Sequence, residues 1–413
     1  MLAVSLHRGM LRPAKKTSNA AMAKRIASLD RALLALRRSH GEGVHHGVSA
    51  DAVGRACGKF LEAAAEQDLD LEAHPELVEI YLAVWRWHRS DGWYQAQHFE
   101  HLLEVQGRNV TLSRVCLDPG PYLQSIFDDH GSVIRFSATV SPMPLYQRLH
   151  GFNESNQNGC SERAGSPFNS EQALVLVVPD IPTYYKQREQ SLPQLALLIS
   201  QLVNARPGRY MVALPSYTYL DALSERYEAG WGDIFVQQRG LNPADSDTLL
   251  QRFAASERGV LFIVMGGIFG ESVDFSAFSL KGVVMVGLGL PPPSAERKLI
   301  EAHFDRADGA GWGRMVAYTQ PALVKNIQAA GRLIRSEQDY GIICLVDPRF
   351  TSAEVQRFFP AHWRPQLTRA ADVTEKVTQF WQDRQAIDEQ EIGRQEIRGK
   401  ESEHNDVRHN AIN

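Results

Sequence analysis

The chain has 413 residues, 44% of them hydrophobic, which is room for two or three domains with real cores and excludes a largely disordered polypeptide. With 44 basic and 48 acidic residues the formal charge is −4, so the overall balance does not by itself point to nucleic acid. The first 40 residues are different: nine Lys or Arg stand against one acid, Asp30, a stretch that either tracks phosphates or forms an ordinary amphipathic basic helix. Residues 22–38 and 51–67 read as helices on either side of the turn-like GEGVHHGVSA, with Val53, Cys57, Phe60, Leu61 and Ala64 at helical spacing in the second. A third helix is predicted from 75 to about 89. Trp85, Trp87, Trp93 and Tyr94 around it are read as core aromatics, with base stacking as the alternative. The first 110 residues are therefore expected to form an α-helical unit.

From about residue 110 the pattern changes to short apolar runs bounded by turn residues. SVIRF (132–136), ALVLVV (173–178), YMVAL (210–214), IFVQ (234–237), VLFIVM (260–265), VVMVGL (283–288) and IICLV (342–346) are predicted as buried strands. Amphipathic segments lie between most of them, at 192–203, 218–228, 248–257 and 321–335. Strands alternating with helices predict an α/β fold with a mostly parallel sheet covered on both faces, a RecA-like layout. After about 370 the chain is rich in Glu, Gln, Arg and Lys and reads as a solvated helix fraying into a disordered end.

Cys57, Cys116, Cys160 and Cys344 are scattered, with no C-x-x-C pair. That spacing supports neither a disulfide framework, a zinc site nor an iron–sulfur cluster, so no metal site is expected, and it suits a reducing cytoplasm. MLAVSL is too short for a signal-peptide core, and no apolar run approaches the roughly 18 to 20 residues that span a bilayer. A soluble, cytoplasmic protein without a membrane partner is expected.

Four groups of residues have chemical potential. Ser137 and Thr139 follow SVIRF, where their hydroxyls bond backbone or acidic neighbours or simply cap a turn. Ser216 and Tyr217 stand at the carboxyl end of YMVAL, where open α/β sheets gather ligands; an N-cap accounts equally well for the serine. Gly266 and Gly267 begin a loop at the end of VLFIVM that continues to Glu271 and Asp274, so that two carboxylates stand beside two glycines that allow close backbone approach. Arg332 and Arg335, at i and i+3 of the predicted helix 321–335, fall on one face, where two fixed cations reach a single phosphate group. Taken alone, such a pair is usually solvated charge. Gln328 one turn upstream, Gly331 and the following strand GIICLV make it more specific.

The run QAAGRLIRSEQDYGIICLVDPRF (328–350) closely resembles the last motif of the DinG/XPD-like branch of superfamily 2 DNA helicases, Q-x-x-G-R-x-I-R, an acid, Gly, a strand and D-x-R-F. Ser137-Ala138-Thr139 resembles the family's S-A-T motif, Ser216-Tyr217 its serine and aromatic near the DNA path, and 266–275 its G-x-F-x-E-G-x-D-F, with Ser272 in place of a glycine. Leu288 to Pro293 resembles its G-L-P segment. The resemblance implies four regions: an Arch-like helical unit at 1–110, the end of a first motor domain with a linker at 111–165, a RecA-like second motor domain at 166–370 and a charged tail at 371–413. It implies that the complete enzyme couples ATP hydrolysis, with Mg²⁺, to 5′ to 3′ movement on single-stranded DNA during repair. Arg332 and Arg335 would act as arginine fingers and Gln328 would position the nucleotide. Gly267, Glu271, Asp274 and Gly331 would line the nucleotide cleft, while Ser137, Thr139, Ser216 and Tyr217 would couple to DNA. G-x-x-x-x-G-K-[ST], D-E-A-H and the four-cysteine iron–sulfur cluster of the first motor domain are not found in the chain, which begins where the region after D-E-A-H is expected. An inactive isolated chain is expected, completed by a separate N-terminal motor half; the alternative is a non-catalytic module that binds single-stranded DNA or a partner.

Overall fold

The three predicted helices near the amino terminus are present as α1 (Ala20–His40), α2 (Asp51–Glu66) and α3 (Val78–Asp91). A computed structural model describes residues 3–17, 19–92, 97–137, 139–152, 159–227, 232–267, 269 and 278–387. They fall into two units, Met1–Ser161 with Pro292–Tyr318, and Glu162–Pro291 with Thr319–Asn413.

In the first unit α1 starts at Asn19, whose side chain accepts a hydrogen bond from Met22 N at 3.1 Å and so satisfies one of the free amides of the first turn. Met22, Ile26, Leu29, Leu33 and Leu36 form its buried stripe and meet Val53, Cys57 and Phe60 of α2 and Ile80, Val84 and Trp87 of α3 in one core. Trp87 is thus a core residue, as read. Trp85 is 41% exposed, with the Arg89 guanidinium 5.1 Å from its ring, and Trp93 and Tyr94 lie outside the described residues.

This unit is not purely helical. β1 (Ala3–His7), β2 (Gly43–His46), β3 (Phe99–Gln106) and β4 (Asn109–Cys116) form an antiparallel sheet in the order β1-β4-β3-β2. Gln106 pairs with Asn109, leaving a two-residue turn in which Gly107 takes φ 56°, the conformation such a hairpin needs. β3 and β4 lack clean alternation because most of their side chains are buried, which hides a strand from a period-2 reading. α4 (Gly120–Asp128) and α5 (Met143–Leu149) follow.

SVIRF is not a strand. Residues 132–136 are coil without a ladder partner among the described residues, and Ile134 and Phe136 are 86% and 92% exposed. Alternating apolar residues specify a strand only where a neighbouring strand takes up the backbone groups.

The second unit has the expected α/β fold. β5 (Ala173–Val178), β6 (Arg209–Leu214), β7 (Asp233–Val236), β8 (Gly259–Val264), β9 (Gly282–Val286), β10 (Gly341–Val346) and the short β11 (Gln366–Leu367) pair in parallel, in the order β11-β5-β10-β9-β6-β8-β7. α6 (Arg188–Ala205), α7 (Tyr217–Arg226), α8 (Pro243–Ala255) and α9 (Gln320–Ala330) occupy the predicted helical segments. Leu176, Val178, Val212, Leu214, Phe262 and Val346 pack with Leu195, Ile199 and Leu220 in one core, so the strands are apolar runs rather than alternating ones.

Two boundaries differ from expectation. The stretch 166–370 is interrupted, because 292–318, including the helix Ala295–Ala307, packs within the first unit. Residues 373–387 are helical, and Val373, Val377 and Trp381 join the second core, so this part of the tail is docked rather than solvated. A charged sequence conceals an apolar stripe of one residue per turn.

Candidate functional site

Two groups of site residues stand at opposite ends of the parallel sheet in the second unit. At the carboxyl ends, Ser216 caps α7, its Oγ accepting from Tyr219 N at 3.4 Å, while the Tyr217 hydroxyl accepts from Gln237 Nε2 at 3.1 Å. Gln237 is buried, and its Oε1 accepts from Val264 N at 2.9 Å, so it ties the end of β8 to Tyr217. The Arg239 guanidinium lies 5.0 Å from the Tyr217 ring.

Gly267 is adjacent. A Cβ there would lie 2.9 Å from Gln237 Nε2 and 3.0 Å from Val264 O, so its missing side chain makes room for Gln237. That is a structural requirement of this chain, separate from any close approach by a ligand. Glu271 and Asp274 lie outside the described residues.

Residues to which the sequence reading gave no site role complete this edge. Asp347, fully buried after β10, accepts from Arg349 N and Nε, both at 2.8 Å, and from Arg349 Nη2 at 2.7 Å; the Thr183 hydroxyl also donates to it. Burial alone would depress the Arg349 pKa, yet the hydrogen bonds and charge of Asp347 raise it. Tyr184 stacks on that guanidinium, 4.7 Å from its centre. Arg188 donates to Thr183 O and Ser216 Oγ, each at 3.4 Å, and has no carboxylate partner among the described residues. Its pKa is lowered, first by burial and also by the Arg349 charge. One of these two guanidiniums is thus paired with a carboxylate and the other is not, and the unpaired Arg188 lies 5.1–5.4 Å from the rings of Tyr219 and of Tyr185, the latter with 84% of its surface exposed. A half-buried cation beside an exposed aromatic suits an anionic chain of bases.

The arginine motif is at the other end, and it is not helical. α9 stops at Ala330; Arg332 and Leu333 close short turns onto Ala329 O and Ala330 O at 3.3 and 3.1 Å, and Arg335 is in irregular backbone. Arg332 and Arg335 are thus not on one helix face, contrary to the i, i+3 reading. Three contacts override the helical pattern. Leu333 is buried against Gly341, where a Cβ would lie 2.6 Å from Leu333 Cδ1. Asp339 Oδ2 accepts from Arg335 N at 3.0 Å and Ser336 N at 2.8 Å. Gln172, just before β5, donates its amide to Ser336 O and Asp339 O at 2.9 and 3.0 Å. Gln328 is exposed in the last turn of α9, next to Gly331; Arg332 is half-buried and Arg335 exposed.

β10 joins the two groups. Its six residues, at about 3.3 Å each, keep the Arg335 loop and the Asp347–Arg349 loop about 17 Å apart. Gly331 and Gly267 are accordingly not neighbours, and the sheet offers two separated surfaces. Ser137 and Thr139 belong to the first unit, where Thr139 N donates to Ser137 Oγ at 3.3 Å in a local turn.

Comparison with known proteins agrees with this fold. Residues 199–366 match the helicase C-terminal domain model. ATP-dependent DNA helicase CHL1 of Meyerozyma guilliermondii is 29% identical over 277 residues, covering 60% of this chain and 33% of the relative. The regulator of telomere elongation helicase 1 homolog of Anopheles gambiae is 26% identical over 298 residues, covering 65% of this chain and 29% of its own length. The chain thus spans about a third of the curated relatives it matches. An XPD helicase structure superposes with a TM-score of 0.51 at 16% identity, over 89% of this chain and 65% of that one. S. tokodaii Xpd4 gives 0.52 at 12% identity, over 89% and 72%, which shows a shared fold. Residues 199–366 are thus similar to a helicase C-terminal domain, and with the last-motif residues 328–350 running before and through β10 the findings support a likeness to the C-terminal region of DinG/XPD-like superfamily 2 DNA helicases.

Proposed function

We propose that this chain is the part of an ATP-dependent 5′ to 3′ DNA helicase that supplies arginine fingers and one wall of the single-stranded DNA path, working in the cytoplasm in DNA repair. The observation that carries the reading is the separation of two cationic surfaces across β10. The Arg332–Arg335 loop faces ATP with its Mg²⁺, and the Tyr185–Arg188–Ser216–Tyr217 edge faces DNA. Glu271 and Asp274, which follow β8 in the sequence, link the two in this reading, and any iron–sulfur cluster belongs to a first motor domain.

A guanidinium beside a transferring phosphoryl group stabilises the charge that develops in the transition state, in cis or in trans. It does so only where a phosphate loop and a metal-binding acid hold the nucleotide, and the sequence contains neither G-x-x-x-x-G-K-[ST] nor D-E-A-H. The isolated chain is therefore proposed to be inactive. ATP turnover is measured with and without single-stranded DNA. DNA-stimulated hydrolysis abolished by Arg335→Ala overturns the inactivity.

A second reading, a module that binds DNA or a motor half without catalysis of its own, draws on Ile134 and Phe136. These two apolar side chains are almost fully exposed, beside a strand-like sequence without a sheet. A first motor domain supplied by a separate polypeptide would cover them. Co-expression with such a domain, followed by copurification that Phe136→Asp abolishes, supports the partner; binding indifferent to Phe136→Asp removes it.

A further inference from the structure

A second cluster, within the first unit, is unrelated to either surface above. His98 and Asp118 extend the base of the β3–β4 hairpin, where Leu117 N and Asp118 N both donate to His98 O, at 2.8 and 3.3 Å. His303 reaches the same point from the helix Ala295–Ala307. One nitrogen from each histidine and one Asp118 oxygen all lie within 4.8 Å of one another. Asp118 Oδ2 is 3.9 Å from His98 Nδ1 and 3.7 Å from His303 Nε2. Residues 98, 118 and 303 are too dispersed for any spacing motif to have found them.

Three further observations point to a cation. Arg148 forks onto Asp118 through Nη1 at 3.0 Å and Nη2 at 2.7 Å, while Gly120 N donates to Oδ1 at 3.0 Å. The carboxylate is therefore held in one orientation, as a metal ligand's supporting contacts hold it. The same guanidinium donates from Nε to Asp308 Oδ1 at 3.2 Å, so two carboxylates face one cation and the cluster keeps one net negative charge. Finally, His98 Nδ1 and Asp308 Oδ2 are buried polar atoms without a hydrogen-bond partner among the described residues. Buried polar atoms are ordinarily satisfied, and His98 Nδ1, unpartnered and 3.9 Å from Asp118 Oδ2, is in place to give its lone pair to a bound cation.

We propose that His98 Nδ1, His303 Nε2 and Asp118 Oδ2 bind one divalent transition-metal ion, zinc by preference, in a three-ligand site that pins the hairpin base to the helix Ala295–Ala307. Two imidazole nitrogens and a carboxylate oxygen are a donor set for zinc rather than for calcium or magnesium, and the fourth position is open to water. Bonds of about 2.1 Å in a tetrahedron set ligand atoms about 3.4 Å apart, so binding draws the three side chains inward.

The test uses the full chain, stripped with a chelator and titrated with Zn²⁺ or Co²⁺ alone. Expected are one equivalent bound, a higher melting temperature and, with cobalt, visible absorption of a four-coordinate ion. His98→Ala and His303→Ala are each expected to weaken binding at least about 100-fold. Both histidines are partly exposed, and metal-free melting of each variant reports its folding. No saturable binding to the native chain, or one-equivalent binding that survives in the folded double variant, overturns the proposal.

Discussion

Arg349 closes its fork on Asp347, the residue two positions before it, so β10 ends in an ion pair anchored at zero exposure. The pair keeps Arg349 under Tyr184 and sets the spacing to Arg188. Asp347→Ala removes the acceptor for Arg349 and for Thr183 together. Loss of about 3 kcal/mol is expected in chemical denaturation, because a buried charge partner is deleted while Arg349 is 29% exposed and can turn to water. Arg349→Lys keeps the charge but not the two-point fork, and an intermediate loss is expected.

Tyr185→Ala and Arg188→Ala test the proposed DNA edge separately. Stacking of one base is worth about 1–3 kcal/mol, so Tyr185→Ala is expected to weaken single-strand binding by roughly 5- to 150-fold at all salt concentrations. Arg188→Ala removes one phosphate contact and lowers the slope of log affinity against log salt by about 0.7. Fluorescence anisotropy with a labelled oligonucleotide at several ionic strengths separates the two. Equal affinity for both variants and the native chain would move the DNA path elsewhere.

Asp30 is the acid of the basic amino-terminal stretch, and it is already engaged. Arg8 Nε lies 2.6 Å and Lys15 Nζ 2.5 Å from its carboxylate. Burial alone would raise its pKa, but hydrogen bonds from Arg8 and Lys15 with their charges outweigh it and hold the carboxyl below its ordinary value. A folded-state pKa below the unfolded one, near 4, contributes stability that is complete above about pH 4 and is lost as pH falls through the folded value. Asp30→Asn is expected to cost about 2 kcal/mol at pH 7 and to flatten the decline of stability below pH 4. An unchanged acid limb in urea titrations would assign that decline to other carboxylates.

Six of the seven predicted strands were legible because a parallel strand buried on both faces is an apolar run whatever its neighbours. SVIRF has the same composition and fails, because nothing in residues 132–136 states whether a partner strand exists. The antiparallel sheet was hidden for the reverse reason: Phe99–Gln106 and Asn109–Cys116 bury both faces and show no period. The position of Ser216 and Tyr217 at a strand end was legible from the sequence. Tyr184, Tyr185 and Arg188 were not, since only the fold sets a loop after β5 beside one after β10. Three buried thiols, Cys57, Cys116 and Cys344, have pKa values pushed up to about 12 by burial, in keeping with packing roles.

The helix ending at Ala330 instead of near Arg335 yields the sharpest test of the arginine reading. Leu333 and Ile334 prolong the apolar pattern of α9, so spacing alone extends the helix through the arginines. The actual stop depends on Asp339, whose Oδ2 also accepts from Ser336 Oγ at 3.1 Å, and on Gln172. Asp339→Ala frees the amides of Arg335 and Ser336 and releases the loop. Expected is a modest stability loss, about 1–2 kcal/mol, with a far larger effect on function. In a reconstituted helicase containing a first motor domain, Arg335→Ala is expected to lower ATP turnover by at least about 100-fold, and Asp339→Ala to reproduce much of that loss with the arginine still present. Single-strand affinity without nucleotide should stay unchanged in both, since the DNA edge is at the far end of β10. Full turnover in Asp339→Ala would mean that the loop's geometry is dispensable, and full turnover in Arg335→Ala that the finger lies elsewhere.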